Sequence, residues 1–401
     1  MKVLVVNAGS SSVKFSLMET GDRTRAASGS IERIGYPGTH LKVEASDGRL
    51  EDRAAPEVTD ARGALERIAA ALTEGPASVV KDLGGIEAVG HRVVQGADLY
   101  SDSVLIDARV KAAVGELSCL APLHNPANLA GIEAAEEILA DAPQVAVFDT
   151  AFHSTIPPRA HLYGLPVDFA RRHRLRRYGF HGTSHKFVSQ RAREMLGSPE
   201  HSKIVTAHIG NGISLCAVRD GASVDTTMGF TPLEGVVMGT RSGSIDPGLV
   251  LYLVDGLGRS PDDIDRLLNK ESGLLGMAGI GSGDLRDVLV ARTRGNEKAA
   301  VAFDVYVYRL AQAVGAMATA MEGIDALCFT AGAGENSPAL RAAVCERVAF
   351  LGIELDAKTN EAARGDADIS SPGARARTFV VTTREDVVIA LETARVAGGR
   401  R

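Results

Sequence analysis

The feature that most constrains this chain lies at its amino terminus, where Lys2-Val-Leu-Val-Val6 and Val13-Lys-Phe-Ser-Leu17 are joined by Asn7-Ala-Gly-Ser-Ser-Ser12. Two apolar runs rich in β-branched residues, separated by a short stretch of small residues, predict an antiparallel hairpin. Gly9 lets the backbone approach an anion, Ser10, Ser11 and Ser12 offer hydroxyl donors, and Lys14 adds a point charge. Asn7, at the end of the first run, is placed to reach a hydrated Mg²⁺. Taken alone, the turn fits a phosphate cradle and an ordinary polar hairpin equally.

The same order of residues returns two hundred positions later. Lys203-Ile-Val-Thr-Ala207 is an apolar run, His208-Ile-Gly-Asn-Gly212 a turn, and Ile213-Ser-Leu-Cys-Ala-Val218 a second run. Aligning Gly9 with Gly210 sets Lys2 against Lys203 and Asn7 against His208. A third version, Asp325-Ala-Leu-Cys-Phe-Thr330, leads into a glycine loop, Ala331-Gly-Ala-Gly-Glu-Asn336. Such repetition predicts two similar halves facing one another across a cleft, with the glycine turns serving one nucleotide. Strand-like runs alternate with helical stretches at 61–72, 126–139, 299–321 and 386–396, an α/β pattern. A boundary falls near residue 150, where Gln144-Val-Ala-Val-Phe148 ends in Asp149, and residues 273–283 read as a mobile glycine-rich loop.

A chain of 401 residues exceeds what one core usually fills, so two domains are expected. A net charge of -6 argues against nucleic acid as a partner. Cys119, Cys216, Cys328 and Cys345 lack CxxC spacing and read as buried free thiols in a reducing compartment. There is no basic leader with a long apolar stretch and no run long enough to span a bilayer, so no membrane association and a cytoplasmic location are expected.

Arginine suits planar anions because its rigid fork pairs two oxygens at once. Arg92 in His91-Arg-Val-Val94 and Arg241 in a loop of small residues are therefore anion-binding candidates, with a surface ion pair as the alternative. His181 and His185 stand four apart, but without HExxH or a cysteine partner zinc is a poor reading. A His181 that donates to a phosphoryl oxygen and a His181 that is merely structural both remain open, as do two such readings of His124. Asp149 follows a strand, where α/β proteins place catalytic acids. The run Arg171-Arg-His-Arg-Leu-Arg-Arg177 either recruits anions or forms a solvated helix face.

Asn7 to Lys14, Pro122-Leu-His-Asn-Pro126, Phe148-Asp-Thr-Ala-Phe-His153, Arg177 to His185, His208 to Gly212, Thr231-Pro-Leu-Glu234 through Gly248, and Gly332 to Asn336 together resemble the acetate kinase family, in order and over nearly the whole chain. The resemblance implies an α/β fold of two ribonuclease-H-like domains, the actin-like ATPase fold, facing across a nucleotide cleft. It assigns residues 1–150 plus 385–401 to one domain and 151–384 to the other, with the adenosine site and a homodimer interface in the second. The implied reaction is reversible, Mg²⁺-dependent transfer from ATP to acetate, giving ADP and acetyl phosphate by direct in-line displacement, with Mn²⁺ as a possible substitute metal. Propionate kinase shares the motifs; a nucleotide-dependent structural or chaperone ATPase is the alternative of a different class.

By position, the resemblance implies Mg²⁺ at Asn7 and Glu385, and phosphate contacts from Ser10, Ser12, Lys14, His208, Ile209, Gly210, Asn211 and Gly212. Adenosine falls on Asp284, Leu285, Arg286, Gly332, Ala333, Gly334, Glu335 and Asn336. Arg92 matches the carboxylate-binding arginine, Asp149 the active-site acid, and His181 and Arg241 the transition-state stabilisers. Val94, Leu123, Phe180 and Pro232 match the pocket for the methyl group. Gln95 and Ala97 stand where the pattern has His and Gly, and Ser244 where it has an acid.

Overall fold

A computed structural model describes residues 1–122 and 124–399. The chain divides into two compact units, Met1–Phe152 with Arg384–Arg401, and His153–Thr383.

The first unit carries β1 (Lys2–Ala8), β2 (Ser12–Glu19), β3 (Thr24–Glu32), β4 (His40–Ala45), β5 (Leu50–Ala54), β6 (Ala88–Val93), β7 (Val104–Leu105) and β8 (Gln144–Phe148) in one sheet, ordered β5-β4-β3-β2-β1-β6-β8-β7. The second carries β9 (Lys203–Ile209), β10 (Ile213–Arg219), β11 (Ala222–Thr226), β12 (Ala326–Thr330), β13 (Ala367–Asp368) and β14 (Arg377–Val380), ordered β11-β10-β9-β12-β14-β13. The two sheets have the same central strand arrangement. β3-β2-β1-β6-β8 and β11-β10-β9-β12-β14 each pair an antiparallel hairpin with two parallel strands. The repeat of two glycine turns is thus a repeat of whole sheet cores. The turns differ in length: residues 9–12 lie between paired Ala8 and Val13, and residues 210–212 between Ile209 and Ile213.

Val3 to Val6 are all buried, as a strand flanked on both sides must be, and the helix Glu385–Gly398 packs on β1, β6 and β8. The helix Ala61–Thr73 begins at Asp60, whose side chain accepts from Gly63 N–H, and adds Leu65, Ile68 and Leu72 to the core under Leu4, Phe15 and Leu17. In the second unit Val188 and Ala192 of the helix Gly182–Met195 pack with Ile204, Cys328 and Phe379.

Three expectations are corrected. Residues 331–336 form a helix and not a loop, closed by Ala331 N–H on Glu335 Oε1 (2.8 Å) and Asn336 Nδ2 on Gly332 O (2.9 Å). Within 273–283, Gly273–Ala278 is also helical, because tertiary backbone hydrogen bonds hold its first turn. Cys119 is exposed, on the short turn Leu117–Cys119 after the helix Ala108–Glu116, whereas the other three cysteines are buried; all four are free. Among the described residues no helix is long and apolar enough to cross a membrane.

Candidate active site

In the first unit the strand ends determine the site. β6 pairs in parallel with β1, Val6 opposite His91, and with β8, Val93 opposite Phe148, so Asn7, Arg92 and Asp149 come to the same end of the sheet. Arg92 donates from Nε to Asp149 Oδ1 (2.9 Å) and from Nη2 to Oδ2 (2.5 Å), and Glu385 Oε2 lies 3.8 Å from Arg92 Nε. Burial opposes the charge on Arg92, yet the two carboxylates hold its pKa above the ordinary value. In the hairpin turn Gly9 N–H donates to Ser12 O, and Ser10 and Lys14 are exposed.

The helix Asn125–Ile138 ties these pieces together. Asn128 donates to Ala8 O (2.8 Å) and accepts from Val94 N–H (3.0 Å), while Asn125 accepts from Gln95 N–H and donates to Gln95 O, both at 3.1 Å. The sequence drew attention to His124; the two asparagines hold the backbone. Val94 is buried, and Leu123 lies outside the described residues. Gln95 is buried with Oε1 accepting from Ala97 N–H (2.9 Å), and Ala97 sits at φ +50°, the left-handed region that suits the glycine of the family pattern.

In the second unit His181 caps the helix Gly182–Met195 at φ +57°, a left-handed conformation for a non-glycine residue. Its Nδ1 lies 2.8 Å from Ser214 Oγ, which lies 2.7 Å from His185 Nε2; His185 Nδ1 lies 2.7 Å from Thr206 Oγ1. Burial, followed by His153 and His208, pushes His185 well below its ordinary pKa, so it is neutral. With Thr206 donating to Cys216 O (3.5 Å), His185 donates from Nδ1 and accepts from Ser214, and Ser214 accepts from His181 Nδ1. His208 stacks on His181 with ring centres 4.1 Å apart, and Ser184 holds its Nδ1 at 2.8 Å. Phe180, buried next in sequence, has its carbonyl held by His153 Nε2 at 3.0 Å.

Arg241 rides on a loop stitched to the helix Gly273–Ala278: Ser272, Leu274 and Leu275 donate to the carbonyls of Thr240, Met238 and Gly239. Gly273, at φ +64°, is required there, because a Cβ would come within 2.3 Å of Met238 O. Among the described residues Arg241 has no carboxylate partner; it reaches only Pro232 O (3.5 Å) and Met238 Sδ (3.9 Å), and burial lowers its pKa from the ordinary value. A Cβ placed on Gly212 would lie 3.2 Å from Arg241 Nη1 and 3.7 Å from His181 Nε2, so a desolvated cation and a histidine nitrogen converge on one point. Pro232 is carried by a segment pinned by Arg177 Nη2 on Glu234 Oε1 (2.8 Å), which draws Arg177 out of the basic run. Ser244 exchanges two hydrogen bonds with Gly235, closing the loop without an acid.

A cavity of about 770 Å³ opens beside this point. Its wall includes Gly210, Asn211, Asp284, Leu285, Arg286, Gly332, Ala333 and Asn336, and also Gly239, Thr240, Leu274 and Tyr306, which the sequence did not single out. His208, Ile209, Gly212, Gly334 and Glu335 are not in that wall. Glu335 Oε1 instead accepts from Ala331 and Thr383 N–H, Ile209 is buried within β9, and Gly334 packs on Phe329 and Ala207.

The profile of the acetokinase family matches residues 2–391. The chain belongs to the acetokinase family. Acetate kinase of Natranaerobius thermophilus is 47% identical over 399 residues, covering 99% of this chain and 100% of that protein. Acetate kinase of Methanosarcina thermophila is 46% identical, covering 98% and 96%. Among solved structures, Porphyromonas gingivalis acetate kinase superposes with a TM-score of 0.91 at 45% identity, covering 98% of this chain and 99% of that one. A propionate kinase from Francisella tularensis superposes with a TM-score of 0.92 at 38% identity and the same coverage. This acetokinase-family chain is therefore an α/β enzyme with the acetate kinase fold, and the structural or chaperone ATPase reading falls.

Proposed function

We propose that this chain is an acetate kinase, transferring the γ-phosphoryl group of ATP reversibly to acetate, with ADP and acetyl phosphate as products, by direct in-line displacement. The observation that carries the reading is the convergence of carboxylate-free Arg241 with His181 Nε2 at Gly212, beside a cavity large enough for a nucleoside. Acetate is ionised at neutral pH and needs no general base, so the protein's task is alignment and charge neutralisation. Arg241 supplies the fork, and His181, with Nδ1–H given to Ser214, donates from Nε2 to the phosphoryl oxygens as the protonated imidazolium. Arg92, with two of its N–H donors committed to Asp149, offers the remaining ones to the acetate carboxylate. Asp149 acts by orienting Arg92.

Among the described residues no group of three or more His, Cys, Asp or Glu side chains is arranged to hold a metal. The oxygen donors of Asn7 and Glu385 fit a hard ion that keeps most of its shell in water and phosphate, which suits Mg²⁺ or Mn²⁺. The Asn7 amide makes no hydrogen bond with a described residue, and Glu385 begins its helix beside Arg92. When bound, the ion neutralises phosphate charge. Helical residues Leu251 and Tyr252 are 65% and 58% exposed, with Leu249 and Leu257 also open, and this apolar face supports a homodimer. Buried free thiols support a cytoplasmic setting.

The test is a chain-length series of carboxylates with ATP and Mg²⁺, read as acyl hydroxamate. Acetate is expected first, propionate at roughly a tenth or less of its specificity constant, and butyrate lower, with Val94→Ala narrowing the gap. A wild-type preference for propionate would favour the second reading, propionate kinase, which the likeness to the Francisella tularensis enzyme supports.

A further inference from the structure

The helix Glu297–Met321 turns a largely apolar face inward, with Ala302, Phe303, Val307 and Leu310 buried, and in that face stands Tyr306, 2% exposed. Its hydroxyl makes no hydrogen bond with any described residue. A phenol set among apolar side chains normally finds a partner for its hydroxyl. Tyr306 lines the cavity of about 770 Å³. Three polar side chains of that wall are engaged within the protein: Asp284 with Arg286, Asn336 with Gly332 O, and Ser337 with Leu340 N–H. The neighbours of Tyr306 in the wall include the buried Leu274 and Leu285. The part of the wall formed by Tyr306, Leu274 and Leu285, apolar apart from that hydroxyl, suits a flat heterocycle better than a ribose or a phosphate, which carry more polar groups to desolvate.

We propose that Tyr306 is a specificity-determining residue that hydrogen-bonds the edge of the nucleotide's purine base. The assignment rests on the kinase reading above, in which this cavity takes the nucleoside. Burial pushes the Tyr306 phenol above its ordinary pKa, so it stays a neutral hydroxyl, able both to donate to a ring nitrogen and to accept from an exocyclic amine.

The experiment compares the full-length wild type with Tyr306→Phe. ADP affinity is measured by calorimetry, thermal midpoint without nucleotide, and acyl phosphate formation separately. Loss of one hydrogen bond to the base should weaken ADP roughly tenfold, raise KM for ATP alike, and leave kcat and KM for acetate unchanged. The nucleotide-free midpoint should not fall, because the hydroxyl bonds nothing in the protein; a fall would mark a structural role and overturn the proposal. Diphosphates of purine riboside, 1-deazaadenosine and 7-deazaadenosine then locate the contact: one of them should be weakened in the wild type and lose no further affinity in Tyr306→Phe. Unchanged ADP affinity, or penalties that add for all three analogues, would overturn it. Absence of acyl phosphate in the wild type would defeat the kinase reading instead, and calorimetry would still decide Tyr306.

Discussion

Arg92 and Asp149 hold each other by two parallel hydrogen bonds, Nε to Oδ1 at 2.9 Å and Nη2 to Oδ2 at 2.5 Å, with Asp149 1% exposed. Both carboxylate oxygens are spent on the guanidinium, which makes Asp149 a poor nucleophile and a good brace. Asp149→Asn loses one acceptor, and a displaced Arg92 should lower kcat/KM for acetate on the order of 10²-fold. Wild type in turnover should yield no borohydride-reducible acyl phosphate; trapping one on Asp149 would overturn the direct path.

Arg241 shows the opposite arrangement, a desolvated guanidinium with no carboxylate beside it among the described residues. If it meets the phosphoryl oxygens in flight, lysine cannot reproduce its fork. Arg241→Lys should reduce kcat on the order of 10³-fold with folding retained. A change confined to KM for ATP would make it a ground-state contact.

Ser214 accepts from His181 Nδ1 while donating to His185, so under the proposed kinase mechanism it is a positioning residue for His181. Ser214→Ala frees the imidazole to rotate and change tautomer, so kcat should fall roughly tenfold to 10²-fold, with an altered pH profile and KM values little changed. An unaltered pH–rate profile would reduce Ser214 to a packing residue.

His91, buried and donating from Nε2 to Gln144 Oε1 (2.7 Å), is pushed down to about 4, chiefly by burial. The unfolded chain, with a histidine near pH 6.5, binds the extra proton first, so stability should fall as pH drops from about 6.5 toward 4, by up to roughly 3 kcal/mol. His185, shifted the same way, adds to the slope. Denaturant titrations of His91→Gln across that window should show a shallower pH dependence, and an unchanged slope would exclude His91 as a source.

Ala97 occupies a left-handed conformation at φ +50°. Ala97→Gly removes a steric cost of about 1–2 kcal/mol while adding about 0.5–1 kcal/mol of chain entropy, so a net gain of up to about 1.5 kcal/mol is expected. Thermal unfolding checks this, and a lowered midpoint would contradict it.

The strands around Gly9 and Gly210, and the helices near 61–72, 126–139, 299–321 and 386–396, were legible because alternation, apolar spacing and turn residues are local properties of the chain. The order of motifs carried the family as well, since each is a contiguous string. Arg92, Asp149, His181 and Arg241 were recognisable by residue type and neighbours, but their states were not. That Arg92 is braced and Arg241 lacks a carboxylate depends on which strand ends and loops meet. Ser214 read as one polar position in an apolar strand, yet it joins two histidines from a helix on the other side of the chain order. The turn at 273–278 became helix because carbonyls thirty residues earlier accept its N–H groups. The sequence by itself determined elements and chemical types, which follow from short-range backbone preference and side-chain identity. Only the tertiary structure decided charge balance, tautomer and burial, because these are set by neighbours distant along the chain.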